Sequence, residues 1–213
     1  MKQIAARYIK GVEKMSEQDI FNALCAVESV PVGCVNWKEE FPYAPSVCFH
    51  LAFSDEVLAV LFEVKEDHVL GTALESNGPV WEDSCVEVFL GNPAGEGYFN
   101  FEMNCIGTML AAKRTSKADA RHFGPELMAQ IRNFGTLKHE VIDRQEEGQT
   151  WWRVEMIPFS VLGLDEAPAS LRGNFYKCGD KCAVPHFLSW SEIGLPAPNF
   201  HCPDFFGEIT LKR

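Results

Sequence analysis

The sequence predicts an all-β protein, an antiparallel β-sandwich with one short helix near the N-terminus. Three observations lead there: many short segments in which apolar and polar residues alternate, tight turn signals between them, and helical periodicity only in scattered patches. Alternation with period two sorts side chains onto the two faces of a sheet. A parallel βαβ fold would instead interleave its strands with long amphipathic helices. No internal repeat or low-complexity tract interrupts the pattern.

At 213 residues, 46% hydrophobic and 23% charged, the chain is globular and long enough for one sizeable core. We expect residues 1–36 to form an extension that packs a short helix on the domain, and residues 37–213 to form the sandwich. The formal charge of −11, from 19 Lys plus Arg against 30 Asp plus Glu, argues against nucleic-acid binding and anionic membrane surfaces. The longest apolar runs are too short to span a bilayer. The first ten residues carry no apolar signal region, so the chain reads as a soluble cytoplasmic protein. A secreted or periplasmic protein trimmed at its N-terminus would read the same way.

Ser16-Glu17-Gln18-Asp19 ahead of Ile20, Phe21 and Leu24 is a capped helix start, since the Ser hydroxyl accepts from first-turn amides. Pro31, Gly33, Pro42 and Pro45 then break an irregular stretch around Trp37. Residues 47–53 and 57–64 are β-type runs joined at Ser54-Asp55-Glu56, a hairpin signal. Residues 108–112 form a further strand after the turn at Ile106-Gly107, and residues 125–131 offer a helical turn or two. Residues 138–141 and 150–157 flank Asp143-Arg144-Gln145-Glu146-Glu147-Gly148, which reads as a second hairpin. In its return strand Trp151, Arg153 and Glu155 share a face, so Arg153 is a candidate for a polar surface. Residues 174–177 and 206–211 supply two more β segments.

Residues 81–90 and 98–104 carry the strongest chemical signal. In the first, Val86, Val88 and Leu90 share one face and Cys85, Glu87 and Phe89 the other. In the second, Phe99, Phe101, Met103 and Cys105 point one way, and Asn100, Glu102 and Asn104 the other. Pairing of these neighbours aligns Glu87, Glu102 and Asn104 on a polar surface with Trp81 at its edge. Such a surface suits a sugar, whose C–H faces stack on aromatic rings while rim hydroxyls need directional donors and acceptors. The competing reading has Trp81 capping the core and the charged residues forming a solvated cluster. Exposure of the indole face separates the two.

The segments Val80-Trp81-Glu82-Asp83-Ser84-Cys85-Val86-Glu87-Val88-Phe89, Asn174-Phe175-Tyr176-Lys177-Cys178-Gly179-Asp180 and Asn199-Phe200-His201-Cys202-Pro203-Asp204-Phe205-Phe206-Gly207 together resemble the family 9 carbohydrate-binding modules, in particular a free-standing branch of that family. The resemblance runs from about Trp37 to the C-terminus. It implies a DOMON-like β-sandwich that holds a mono- or oligosaccharide between two aromatic rings, with calcium as a structural ion and a separate glycoside hydrolase as a possible partner. Trp81, Glu87 and Asn104 match the first ring, the strand acid and a strand asparagine. Phe200, followed by His201, falls where the second ring belongs. Two departures stand out: Phe200 replaces a tryptophan, and Glu102 occupies the place of an arginine, for which Arg153 is a candidate substitute.

Other classes remain open at this level. Glu87 and Glu102 could serve as the paired acids of a glycoside hydrolase. The DOMON-like resemblance also admits haem, with Met103 and Met109 as candidate ligands, although Met103 falls on the apolar face. Cys178, Cys182, His186, His201 and Cys202 match no strong zinc spacing. Glu82, Asp83 and Asp180 offer oxygens for calcium without an EF-hand pattern. The eight cysteines read mainly as buried thiols.

Overall fold

The computed structural model covers residues 1–213. Its strands are β1 (Gln3–Tyr8), β2 (Val30–Pro31), β3 (Ser46–Phe53), β4 (Val57–Gly71), β5 (Cys85–Gly91), β6 (Tyr98–Asn104), β7 (Met109–Arg114), β8 (Ala120–His122), β9 (Arg132–Gly135), β10 (Ile142–Pro158), β11 (Ser170–Cys178), β12 (Phe187–Ser189) and β13 (Gly207–Leu211). Two α-helices accompany them, α1 (Glu17–Cys25) and α2 (Pro125–Met128). The strand order is β8-β7-β6-β5-β11-β13-β1-β3-β4-β10-β9, with β12 on β11 and β2 on β3. This path folds into the two layers of an all-β sandwich, as its patterning predicts.

β1 joins the layers. Its residues 3–6 pair with β13 and its last two residues pair with β3, both in parallel. The strand ladders are otherwise antiparallel. Residues 1–36, expected as an extension, therefore supply a strand to the join as well as α1 and β2. Only Ala6 of β1 is buried, so its pattern is too polar to reveal a strand that carries both sheets.

The main core lies between the layers. Val86, Val88 and Leu90 of β5 and Phe99, Phe101 and Met103 of β6 meet Phe49, Phe62, Phe175 and Trp190 there. Phe49 stacks on Phe175 at 4.0 Å, and the Trp190 ring meets both edge-on. Met103 and Met109, the candidate haem ligands, belong to this core. Lys177 and Glu66 form a fully buried ion pair across the two layers at 2.9 Å.

α1 covers the outer face of the second layer, where Ile20 and Leu24 pack near Ala59, Leu61 and Val154. The Ser16 hydroxyl accepts from the Asp19 amide at 3.2 Å, the expected cap. The hairpin expected between residues 138 and 157 is absent. β10 runs through residues 143–148 as one long strand against β4, with a register shift between Gln145 and Gln149. Gly148, at φ 71°, takes up the extra residues as a bulge, and its amide donates to Asp67. Turn residues signal a break in regular pairing, and here the break bends a strand without reversing it.

Candidate functional site

The outer face of the first layer builds the site. β5 and β6 pair in the register that places Glu87 directly opposite Glu102 and Cys85 opposite Asn104. On the other side of β5, Tyr176 lies opposite Glu87 and Cys178 opposite Cys85. A second apolar cluster of Phe89, Tyr98, Tyr176, Trp37 and Phe200 covers part of this face. The uncovered part is a cavity of about 330 Å³, lined among others by Trp81, Glu87, Glu102, Arg114, Phe200 and His201.

The cavity walls are tied to the sheet by specific bonds. The Tyr176 hydroxyl donates to the Phe200 carbonyl at 3.2 Å, and the two rings stack at 4.2 Å with planes 9° apart. The Tyr98 hydroxyl lies 2.9 Å from His201 Nδ1. Opposite them, Trp81 sits in a 3₁₀ turn, and its carbonyl accepts from the Asp180 amide. Trp81 is 37% exposed, whereas Phe200 is only 8% exposed. The indole therefore presents a free surface, while the phenyl ring is a packed wall.

The floor is acidic and buried. Glu102 Oε1 accepts from the Asn100 amide at 2.8 Å, and Asn100 Oδ1 accepts from Arg114 Nε at 2.8 Å. Glu87 Oε1 accepts from the Cys178 thiol at 3.1 Å. Burial, then the neighbouring Glu102 charge, drives Glu87 well above the usual carboxylate range. Burial lifts Glu102 to about 7, against the lowering effects of Asn100 and Arg114. Two acids this close hold a proton near neutrality, so the pair offers both donor and acceptor capacity. Asp180 at the rim rises to about 6, by burial and then by the Glu82 charge. His201 falls to about 3, by burial and then by the charges of Arg114 and Lys117, and is a neutral imidazole.

Five of the seven candidate residues thus meet at one cavity: Trp81, Glu87, Glu102, Phe200 and His201. Asn104 and Arg153 do not. Asn104 lies on the expected face, but its amide donates to the Ala73 carbonyl and to Asp83, and its oxygen accepts from the Thr108 amide. Those bonds spend it on the turns beside Trp81. Arg153 belongs to β10 in the other layer and binds the Leu137 carbonyl and Asn133 there. Alternation gives a side chain's parity along its own strand but not the sheet that strand joins. The arginine that reaches the cavity is Arg114, at the end of β7.

Lys117, Asp180 and Asn199 also line the cavity and escaped sequence reasoning as site residues. Asp180 and Asn199 stand in the second and third motifs, which was the available signal. Arg114 and Lys117 had none: the register of β7 on β6 brings in Arg114, whose Nη1 donates to the Lys117 carbonyl just beyond the strand. The oxygens named for calcium do not assemble a cation site. Asp83 already accepts from the Thr72 amide and hydroxyl, the Ala73 amide and Asn104, and Glu82 pairs with Lys181 at 2.8 Å.

The family model for carbohydrate-binding family 9 matches residues 17–211. The chain belongs to carbohydrate-binding family 9. A proposed carbohydrate-binding protein from Bacteroides uniformis ATCC 8492 superposes with a TM-score of 0.93 at 33% identity, over 99% of each chain. Two structures of a family 9 module from Caldicellulosiruptor kristjanssonii share the fold at 17% identity. The one in complex with glucose gives a TM-score of 0.63 over 99% of this chain and 96% of that one. The one in complex with cellotriose gives 0.61 over 99% and 94%. No curated protein matches the sequence. No helix of this family 9 chain is long and apolar enough to cross a membrane.

Proposed function

We propose that this family 9 protein is a non-catalytic carbohydrate-binding module that takes a mono- or oligosaccharide in the cavity between Trp81 and Phe200. The carrying observation is the half-exposed indole of Trp81 beside two buried carboxyl groups in a cavity of about 330 Å³. In this reading a pyranose lays one C–H face on the indole, and its hydroxyls reach the Glu87 and Glu102 pair and the Arg114 guanidinium. That volume stands at the low end of the roughly 300–1,000 Å³ usual for ligand pockets, which favours one or two sugar rings over a long chain segment. The family 9 structures in complex with glucose and cellotriose support the ligand class.

Calorimetry against glucose, cellobiose, cellotriose and non-glucose sugars tests the proposal. The expected result is a dissociation constant on the order of 10 μM to 1 mM for at least one ligand, as befits a single shallow slot. Trp81→Ala should weaken that binding at least tenfold while the melting midpoint stays within a few degrees, because the ring is exposed. Binding unchanged in Trp81→Ala, or a folded protein with no hit across the panel, overturns it.

A hydrolytic reading rests on the same opposed pair, Glu87 and Glu102, whose raised protonation suits acid–base work. It predicts release of reducing sugar that is lost in Glu87→Gln. Binding without turnover rejects it.

A further inference from the structure

We propose that Cys48, His50 and Glu63 form a zinc site on the outer face of the second layer, remote from the sugar cavity. β3 alternation puts Cys48 and His50 on one face, and the register places Glu63 of β4 directly opposite Cys48. The same face is apolar beneath α1, at Ala52, Ala59 and Leu61, and changes character just beyond that helix. The three potential donor atoms, one thiol sulfur, one imidazole nitrogen and one carboxylate oxygen, all lie within 4.8 Å of one another. His50 Nε2 stands 2.8 Å from Glu63 Oε2, and Cys48 Sγ stands 3.8 Å from the same oxygen.

The orientation of His50 suits a metal ligand as well as an ion pair with Glu63. Its Nδ1 lies 2.9 Å from the Val27 carbonyl, an acceptor only, so Nδ1 carries a hydrogen and Nε2 directs its other valence at Glu63. An imidazole lone pair and a carboxylate at that distance repel unless a cation lies between them, and a proton or a metal ion can fill that role. A backbone carbonyl holding the distal nitrogen is the usual outer-shell support of a metal-bound histidine. The ring is nearly buried, which limits its reorientation, whereas the Glu63 side chain is 44% exposed and free to adjust.

The donor set selects the ion. A thiolate and an imidazole are poor ligands for calcium or magnesium, whereas sulfur, nitrogen and one carboxylate oxygen suit zinc. Metal–ligand lengths of about 2.0–2.3 Å place tetrahedral ligands roughly 3.3–3.8 Å apart, so Glu63 must move by about half an ångström. The exposed side of the cluster leaves the fourth position to water. Binding releases the Cys48 thiol proton and any proton shared by His50 and Glu63 to solvent, with no redox change.

The test titrates zinc into the reduced, metal-stripped full chain against a chromophoric chelator, with cobalt(II) as a spectroscopic probe. The expected result is one zinc per chain, a thiolate-to-cobalt charge-transfer band, and a rise in melting midpoint with zinc. Cys48→Ser and Glu63→Gln should each weaken binding at least tenfold and diminish the band, with the circular dichroism of the sheet unchanged. His50→Gln should do the same. Cys34→Ser, whose thiol faces the Trp190 carbonyl elsewhere, serves as the control and should bind as before. No stoichiometric zinc on folded protein, or binding undiminished in Cys48→Ser and Glu63→Gln, overturns the proposal. Sugar calorimetry is independent of either outcome, since the cavity lies on the other layer.

Discussion

Two buried acid clusters lie on opposite faces of one sheet, and neighbouring residues of β11 serve them. On the inner face Lys177 meets Glu66 at 2.9 Å, the Trp151 indole donates to Glu66 at 2.6 Å, and the ammonium also reaches the Cys178 carbonyl and His186. His186 is driven down to about 2, by burial and then by the Lys177 charge, so it stays neutral and accepts from the ammonium. On the outer face Glu87 and Glu102 have only a thiol and an amide as direct donors. The first cluster satisfies its charge inside the protein and works as a structural tie between layers. The second keeps its protons and its spare valences, and it fronts a cavity. Burial alone does not mark a site: Glu66 and Glu155 are as buried as Glu87 and Glu102, and only the latter pair lines the cavity.

The largest expected effect comes from breaking the structural tie. Lys177→Met leaves Glu66 buried without its cation and should cost about 3–5 kcal/mol in denaturant unfolding. The double change Glu66→Leu with Lys177→Met should recover most of that loss, because desolvating an ion pair offsets much of its attraction. A double variant as unstable as the single one would show that the network packs in a way apolar groups cannot replace.

A smaller effect, opposite in sign, is expected at the cavity floor. Unfolded glutamate ionises near 4.3, whereas Glu102 keeps its proton to about 7. Between those values the unfolded chain gives up a proton that the folded chain retains, so stability falls as pH rises through the window. Glu102→Gln mimics the protonated form. It should exceed the parent by roughly 1–3 kcal/mol at pH 8 and converge with it near pH 4.5. Parallel stability profiles for the two proteins would contradict the assigned environment.

The smallest effect belongs to the rim. Glu82 and Lys181 pair at 2.8 Å beside Trp81, but Lys181 is mostly exposed. Lys181→Ala should change stability by less than about 1 kcal/mol, read from the melting midpoint. A larger loss would assign that pair to holding the cavity wall.

The comparison also separates what could be read from the chain alone. Face assignment along β5 and β6 was legible because period-two alternation is a local property: Val86 and Phe101 went to the core, and Glu87 and Glu102 to the outer face. Trp81 was legible from its place at the edge of that polar face, whereas Phe200 and His201 were legible only through ordered motifs. Residues 143–148 misled, because turn-forming residues next to Gly148 serve a bulge as readily as a reversal.

The amino-acid order by itself determined the sandwich class, the capped helix after Ser16, and the paired acids of β5 and β6. Each follows from contacts or periodicity within a few residues. Tertiary structure alone decided that Arg114 and not Arg153 reaches the cavity, that Asn104 is spent on neighbouring turns, and that β1 joins the two layers. Those outcomes depend on which strands become neighbours, a property of long-range register that no local pattern encodes.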